Sequence, residues 1–153
     1  MIKLIAIGNR FMKDDGIAIK VAENLVDKLK GLNIEVIIGE TDCQNCFYLL
    51  KQDDYVLIID AIYTGSEPGS IHPLKLEEAV AQSSGASMQH DMSIIELMKL
   101  YKSKFKGYLI GVEIAELGFG DKLSPVLNEK YQQICLDVER TINKIILEET
   151  NYA

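Results

Sequence analysis

The sequence lacks the features that would place it in several large functional classes. No apolar run among its 153 residues approaches the ~20 needed to span a bilayer, and the N-terminus opens directly into a strand pattern instead of a basic segment and signal core. A cytoplasmic protein without membrane insertion is expected. Basic residues are scarce: 16 Lys and Arg against 23 Asp and Glu leave a formal net charge of -7. Without clustered cations, a nucleic-acid partner is disfavoured. Three cysteines, an odd count, do not make a disulfide framework and read as thiols in a reducing compartment. Also missing are the G-x-G-x-x-G and G-x-x-x-x-G-K-[ST] patterns of nucleotide sites, the H-E-x-x-H of resident zinc proteases and the G-x-S-x-G of serine hydrolases. No linker, repeat or low-complexity tract divides the chain, so one domain over residues 1–153 is expected, as a monomer.

What is present is an alternation of strand and helix patterns. Ile2 to Ile7 and Tyr55 to Ile59 are nearly continuous apolar runs, the pattern of parallel strands covered on both faces. Between them, Ile17, Val21, Ala22, Leu25 and Leu29 recur at helical spacing before Gly31, read as a stop signal. A second strand fits Ile34 to Ile38, and a short helix fits about Asn45 to Lys51. Ile71 to Leu76 contains Pro73, which indicates an edge strand, paired antiparallel in this reading. Gln82 to Gln89 reads as a loop. Ser93 and Glu96 form a capping box for a helix to about Lys104. Tyr108 to Val112 is a last buried strand, and Leu123 to Leu147 a long C-terminal helix with Ser124 and Pro125 in its first turn. The predicted architecture is a doubly wound α/β domain: a mainly parallel twisted sheet of about five strands with helices on both faces.

Ligands of such folds gather at the carboxyl ends of the strands, where strand order reverses. The first strand leads to Asp14-Asp15-Gly16 at a helix start, where acidic residues either serve a site or complement the helix dipole. Asp60 closes the third apolar strand, as a functional group or as an acceptor for loop amides. His90 lies in a polar segment before a helix, and His72, on the edge strand, reads as incidental. If Asp15, Asp60 and His90 converge, they supply two oxygens and one imidazole nitrogen, a set for a divalent transition metal with open coordination positions. The spacing does not name the metal. Asp42 and Glu113, at neighbouring strand ends, either orient this set or are solvated loop carboxylates. Cys43 and Cys46 form a lone C-x-x-C, read either as packing thiols or as a redox or metal pair.

The segment Ile5-Ala6-Ile7-Gly8-Asn9-Arg10-Phe11-Met12-Lys13-Asp14-Asp15-Gly16-Ile17 resembles the opening of the hydrogenase maturation proteases. Further matches follow in order: Ile58-Ile59-Asp60-Ala61, Glu67-Pro68-Gly69-Ser70, the His90 segment before a leucine-rich helix, Gly111-Val112-Glu113 and Leu123-Ser124-Pro125. The resemblance implies an endopeptidase that removes the C-terminal extension of a nickel-iron hydrogenase large-subunit precursor. It implies that Asp15, Asp60 and His90 contact nickel carried by that substrate, with no permanently bound cofactor. The chain departs from the family in reading Glu40-Thr41 where many relatives have Gly-Thr, and Ile114 where a proline often follows Gly-Val-Glu. Two other readings compete. A nickel-dependent assembly factor would share the site without hydrolysis. A response-regulator receiver would need a lysine where the chain has Glu113.

Overall fold

The computed structural model describes residues 1–83 and 93–152. Its strands are β1 (Ile2–Ile7), β2 (Ile34–Glu40), β3 (Tyr55–Ile62), β4 (Ile71–Lys75) and β5 (Lys106–Glu113), in sheet order β2-β1-β3-β5-β4. The helices are α1 (Ile17–Gly31), α2 (Cys43–Tyr48), α3 (Leu76–Gln82), α4 (Ile94–Leu100) and α5 (Pro125–Tyr152). β1, β2, β3 and β5 run parallel, and β4 closes one edge antiparallel to β5. Pro73 sits on that edge strand, where its missing amide costs no ladder bond on the open side.

The central strands are apolar on both faces because each face is covered. Leu4, Ala6, Leu57 and Ile59 face a core shared with α1 and α5, while Ile5, Val56 and Ile58 face a second core with α2, α3 and α4. Lys3 is the exception in the β1 run. Its buried ammonium is matched by the Asp54 carboxylate at 2.8 Å and the Leu49 carbonyl at 2.8 Å, so the cation is paired instead of stranded in the core.

Several boundaries differ from the sequence reading, each for a local reason. α1 continues through Gly31, and the left-handed residue that stops it is Asn33 (φ 61°). α2 begins at Cys43 because Asp42 caps it, accepting the Asn45 amide at 3.0 Å. α3 was not expected: Leu76, read as the end of a strand, opens a helix whose first turn carries Glu77 and Glu78. α4 stops at Leu100, well short of Lys104, since Lys102 turns left-handed (φ 53°) and the Ser103 amide reaches back to the Met98 carbonyl at 2.9 Å. The Ser93 cap of α4 is present, its hydroxyl accepting the Glu96 amide at 3.1 Å.

Candidate active site

Strand order reverses between β1 and β3, whose neighbours lead in opposite directions across the sheet. The carboxyl ends of these two strands are where open α/β sheets accommodate ligands. β1 delivers Gly8, whose close approach admits no side chain: a Cβ there would lie 2.2 Å from the Asp15 carbonyl oxygen. Asn9 then organises the turn. Its backbone amide donates to Asp15 Oδ2 at 2.8 Å, its side-chain oxygen accepts the Phe11 amide at 2.9 Å, and its carbonyl accepts the Met12 amide at 3.0 Å. A short 3-10 turn over Lys13–Gly16 follows and leads into α1.

The adjacent acids have separate tasks. Asp14 is fully buried and accepts four hydrogen bonds: from the amides of Ala115 (3.1 Å), Glu116 (2.8 Å) and Ser124 (2.7 Å), and from the Ser124 hydroxyl (2.8 Å). It fastens the β1 loop to the segment joining β5 to α5. Asp15 is only half-buried; among the described residues its carboxylate accepts the Asn9 amide, and its own amide donates to the Met12 carbonyl at 3.1 Å.

Asp60 stands at the carboxyl end of β3, opposite Gly111 of β5, with its side chain partly exposed. Burial raises its carboxyl pKa, the negative charge of Asp15 adds to that, and the Ala61 amide offsets only part; the group is pushed up to about 7. Asp15 and Asp60 are thus near enough to repel. Among the described residues, neither carboxylate forms an ion pair. Such a pair fits a divalent cation, which would replace mutual repulsion with shared attraction to one charge. No group of three or more His, Cys, Asp or Glu side chains with metal-binding geometry occurs among the described residues. His90 lies outside the described residues.

The remaining residues singled out from the sequence have visible occupations. Asp42 caps α2. Glu113 is fully buried and holds the loop after β3, accepting the Thr64 amide at 2.9 Å and the Thr64 hydroxyl at 2.5 Å. Burial would raise its pKa, but the Thr64 side chain, the Thr64 and Gly65 amides and the nearby His72 outweigh that, leaving it below the usual carboxylate range. His72 bonds to the Ser70 hydroxyl at 2.8 Å on the exposed edge. Cys43 and Cys46 are buried against Ile5 and Ile7, and burial first, then Cys43 and Asp42, pushes the Cys46 thiol up to about 11. A thiol so disposed is a poor nucleophile at neutral pH.

Sequence reasoning missed a charged clamp beside the turn. Arg10 donates to Glu40 at 2.6 Å and to Glu23 at 3.1 Å. These partners are distant in sequence and no local motif announces them. Glu40 is also left-handed (φ 52°), at the irregularity where β1 and β2 shift register. The departure from Gly-Thr therefore falls at a backbone position that favours glycine.

A model of the hydrogenase maturation protease family matches residues 19–142, a span that includes Asp60 and His90 and begins just after Asp15. No curated protein sequence gives a significant match. Among solved structures, the [NiFe] hydrogenase maturation protease HybD from Thermococcus kodakarensis is 25% identical, with 92% of this chain and 97% of that one covered and a TM-score of 0.69. The hydrogenase maturating endopeptidase HybD from E. coli is 20% identical, with coverage of 94% and 92% and a TM-score of 0.69. HycI from Thermococcus kodakarensis KOD1 is 19% identical, with coverage of 90% and 88% and a TM-score of 0.72; these last two likenesses speak to the fold.

Proposed function

The chain belongs to the hydrogenase maturation protease family, and from that premise we propose that it is an endopeptidase removing the C-terminal extension of a nickel-iron hydrogenase large-subunit precursor once nickel is in place. The observation that carries this reading is the Asp15–Asp60 pair: two carboxylates at the switch point, mutually repelling and without a cation of their own among the described residues. Nickel held by the precursor is part of the substrate here, and it is what the pair recognises. Asp15 enters pre-oriented by the Asn9 amide, and Asp60 enters from the rigid centre of the sheet.

His90 is the proposed third contact, on the strength of its place in the sequence resemblance. Two oxygens and a nitrogen complete the coordination of a metal already fixed by the precursor, so that recognition is conditional on assembly. Docking then holds the tail near the carboxylates, converting attack by water into a reaction between positioned groups. Asp60, with a pKa of about 7, can accept a proton from that water near neutral pH. No helix among the described residues is long and apolar enough to cross a membrane.

The test is intact-mass measurement of nickel-loaded and nickel-free precursor after incubation with chelator-treated enzyme. Shortening of the loaded form alone is expected. Binding without shortening would identify an assembly factor instead, and equal shortening of both forms would remove nickel from the reading.

A further inference from the structure

Two loops beside the carboxylate pair hold large apolar side chains away from the protein. Phe11, in the loop after β1, is 66% exposed; Leu117 and Phe119, in the loop after β5, are 55% and 88% exposed. Their backbones are fastened together. The Gly120 amide donates to the Phe11 carbonyl at 2.8 Å, and the Lys13 amide returns a bond to the Gly120 carbonyl at 2.8 Å, making a parallel bridge between Met12 and Gly120. Underneath, buried Asp14 ties Ala115, Glu116 and Ser124 to the same turn. The three side chains are therefore held out on a braced support, and an apolar cluster so presented is the signature of an interaction surface.

Two cations beside this ridge are paired within the chain. Arg10 pairs with Glu40 and Glu23, and Lys13 with Glu116 at 3.5 Å. What the ridge offers a partner is apolar area, with two phenylalanines as anchors.

We propose that Phe11, Leu117 and Phe119 form the docking ridge for the hydrogenase precursor, seated in an apolar depression on the folded precursor near the root of its tail. This rests on the peptidase reading above. The occupant follows from continuity with the site: Phe11 lies in the turn between Asn9, whose amide holds Asp15, and Asp15 itself. A protein surface resting on the ridge is thereby registered against the carboxylates.

The experiment measures binding of immobilised nickel-loaded precursor by interferometry, and cleavage kinetics by intact mass, for three proteins. These are the wild type, Phe11→Ala with Phe119→Ala, and Leu100→Ala with Tyr101→Ala at the opposite end of the sheet. The Phe pair is expected to weaken binding and raise KM by about tenfold or more with kcat unchanged, while the distant pair behaves as wild type. If the Phe double variant melts lower than wild type, Phe119→Ser alone, at the most exposed position, carries the same test. Binding and KM within about twofold of wild type in the ridge variant would overturn the ridge while leaving the peptidase reading intact. A wild type that neither binds nor cleaves the precursor would overturn that reading, and the named occupant with it.

Discussion

Asp14 and Ser124, 110 residues apart in the chain, are joined twice through one buried carboxylate: the Ser124 amide donates to Oδ1 at 2.7 Å and the Ser124 hydroxyl to Oδ2 at 2.8 Å. The bond pair closes the loop from β1 onto the start of α5. The next residue, Asp15, is not one of this tie's partners and accepts the Asn9 amide instead. Two adjacent aspartates thus hold different partners, and the proposed site uses only the second.

It follows that Asp14→Ala and Asp15→Asn should fail in opposite ways. Removing Asp14 leaves three amides and a hydroxyl unanswered, and unfolding free energy should fall by about 3 kcal/mol, allowing for partial relaxation toward water. Asp15→Asn keeps an oxygen for the Asn9 amide, so stability should stay within about 1 kcal/mol while processing of nickel-loaded precursor is lost. Urea unfolding and intact-mass assays on both variants check this. A stable Asp14→Ala would mean that the carboxylate is not the tie between these loops.

The fold was largely legible because the signals that set it are periodic and local. The two-sided apolar runs of β1 and β3 marked them as buried strands, and alternation of strands with helices gave the fold class, while the switch point between β1 and β3 came only with the strand order. Elements that depend on tertiary context were not legible. α3 hides behind a leucine that reads equally well as the end of a strand, and α4 is stopped by a left-handed lysine that no propensity scale marks. In the candidate site, Asp60 was singled out at the end of an apolar strand and Asp15 at a helix start just after one. The separate task of Asp14 was not, since its four donors come from a segment about a hundred residues away. Nor was the Arg10 clamp, for the same reason.

Gly39 and Cys46 should be energetically coupled. A Cβ on Gly39 would sit 2.4 Å from the Cys46 sulfur and 3.2 Å from the Ala6 carbonyl oxygen, so Gly39→Ala must displace the thiol. The substitution should destabilise, and Cys46→Ala should recover part of the loss, with a coupling energy of about 1 kcal/mol in a double-mutant cycle. Because the Cys46 thiol titrates near 11, native protein at pH 8 should also resist alkylation there, and replacing both Cys43 and Cys46 with Ser should preserve processing. Fast native alkylation, or loss of processing in a folded double-serine variant, would restore a chemical role to the C-x-x-C.

Glu40→Gly tests whether the departure at this position is tolerated or used. Glycine relieves the left-handed backbone at φ 52° by about 1 kcal/mol, and the exposed pairing with Arg10 contributes about as much or less. Stability should therefore change little. The freed Arg10 still has Glu23, so a large rise in KM for precursor without loss of stability would show that Glu40 positions Arg10 for the substrate.

The last prediction concerns pH and turns on Asp60. Its carboxyl pKa rises from 3.8 to about 7 in the folded protein, with burial the larger cause and Asp15 the second. The folded state thus holds a proton that the unfolded chain releases between these values. The sign is the reverse of an ordinary salt-bridged aspartate: the contribution is fully present below pH 3.8 and is lost as pH rises through about 7. Asp60→Asn cannot ionise, so it should be more stable than wild type at pH 8, by about 2 kcal/mol after discounting for the side chain's partial exposure, with the advantage vanishing toward pH 4. The same variant should not process precursor at any pH. Urea unfolding of both proteins across this range makes the comparison, with Asp15→Asn as a third arm. Removing the neighbouring charge should lower the Asp60 pKa and recover only part of the advantage, since burial remains. Parallel stability curves for wild type and Asp60→Asn would mean that Asp60 titrates as an ordinary surface carboxylate and that the two acids do not share a site.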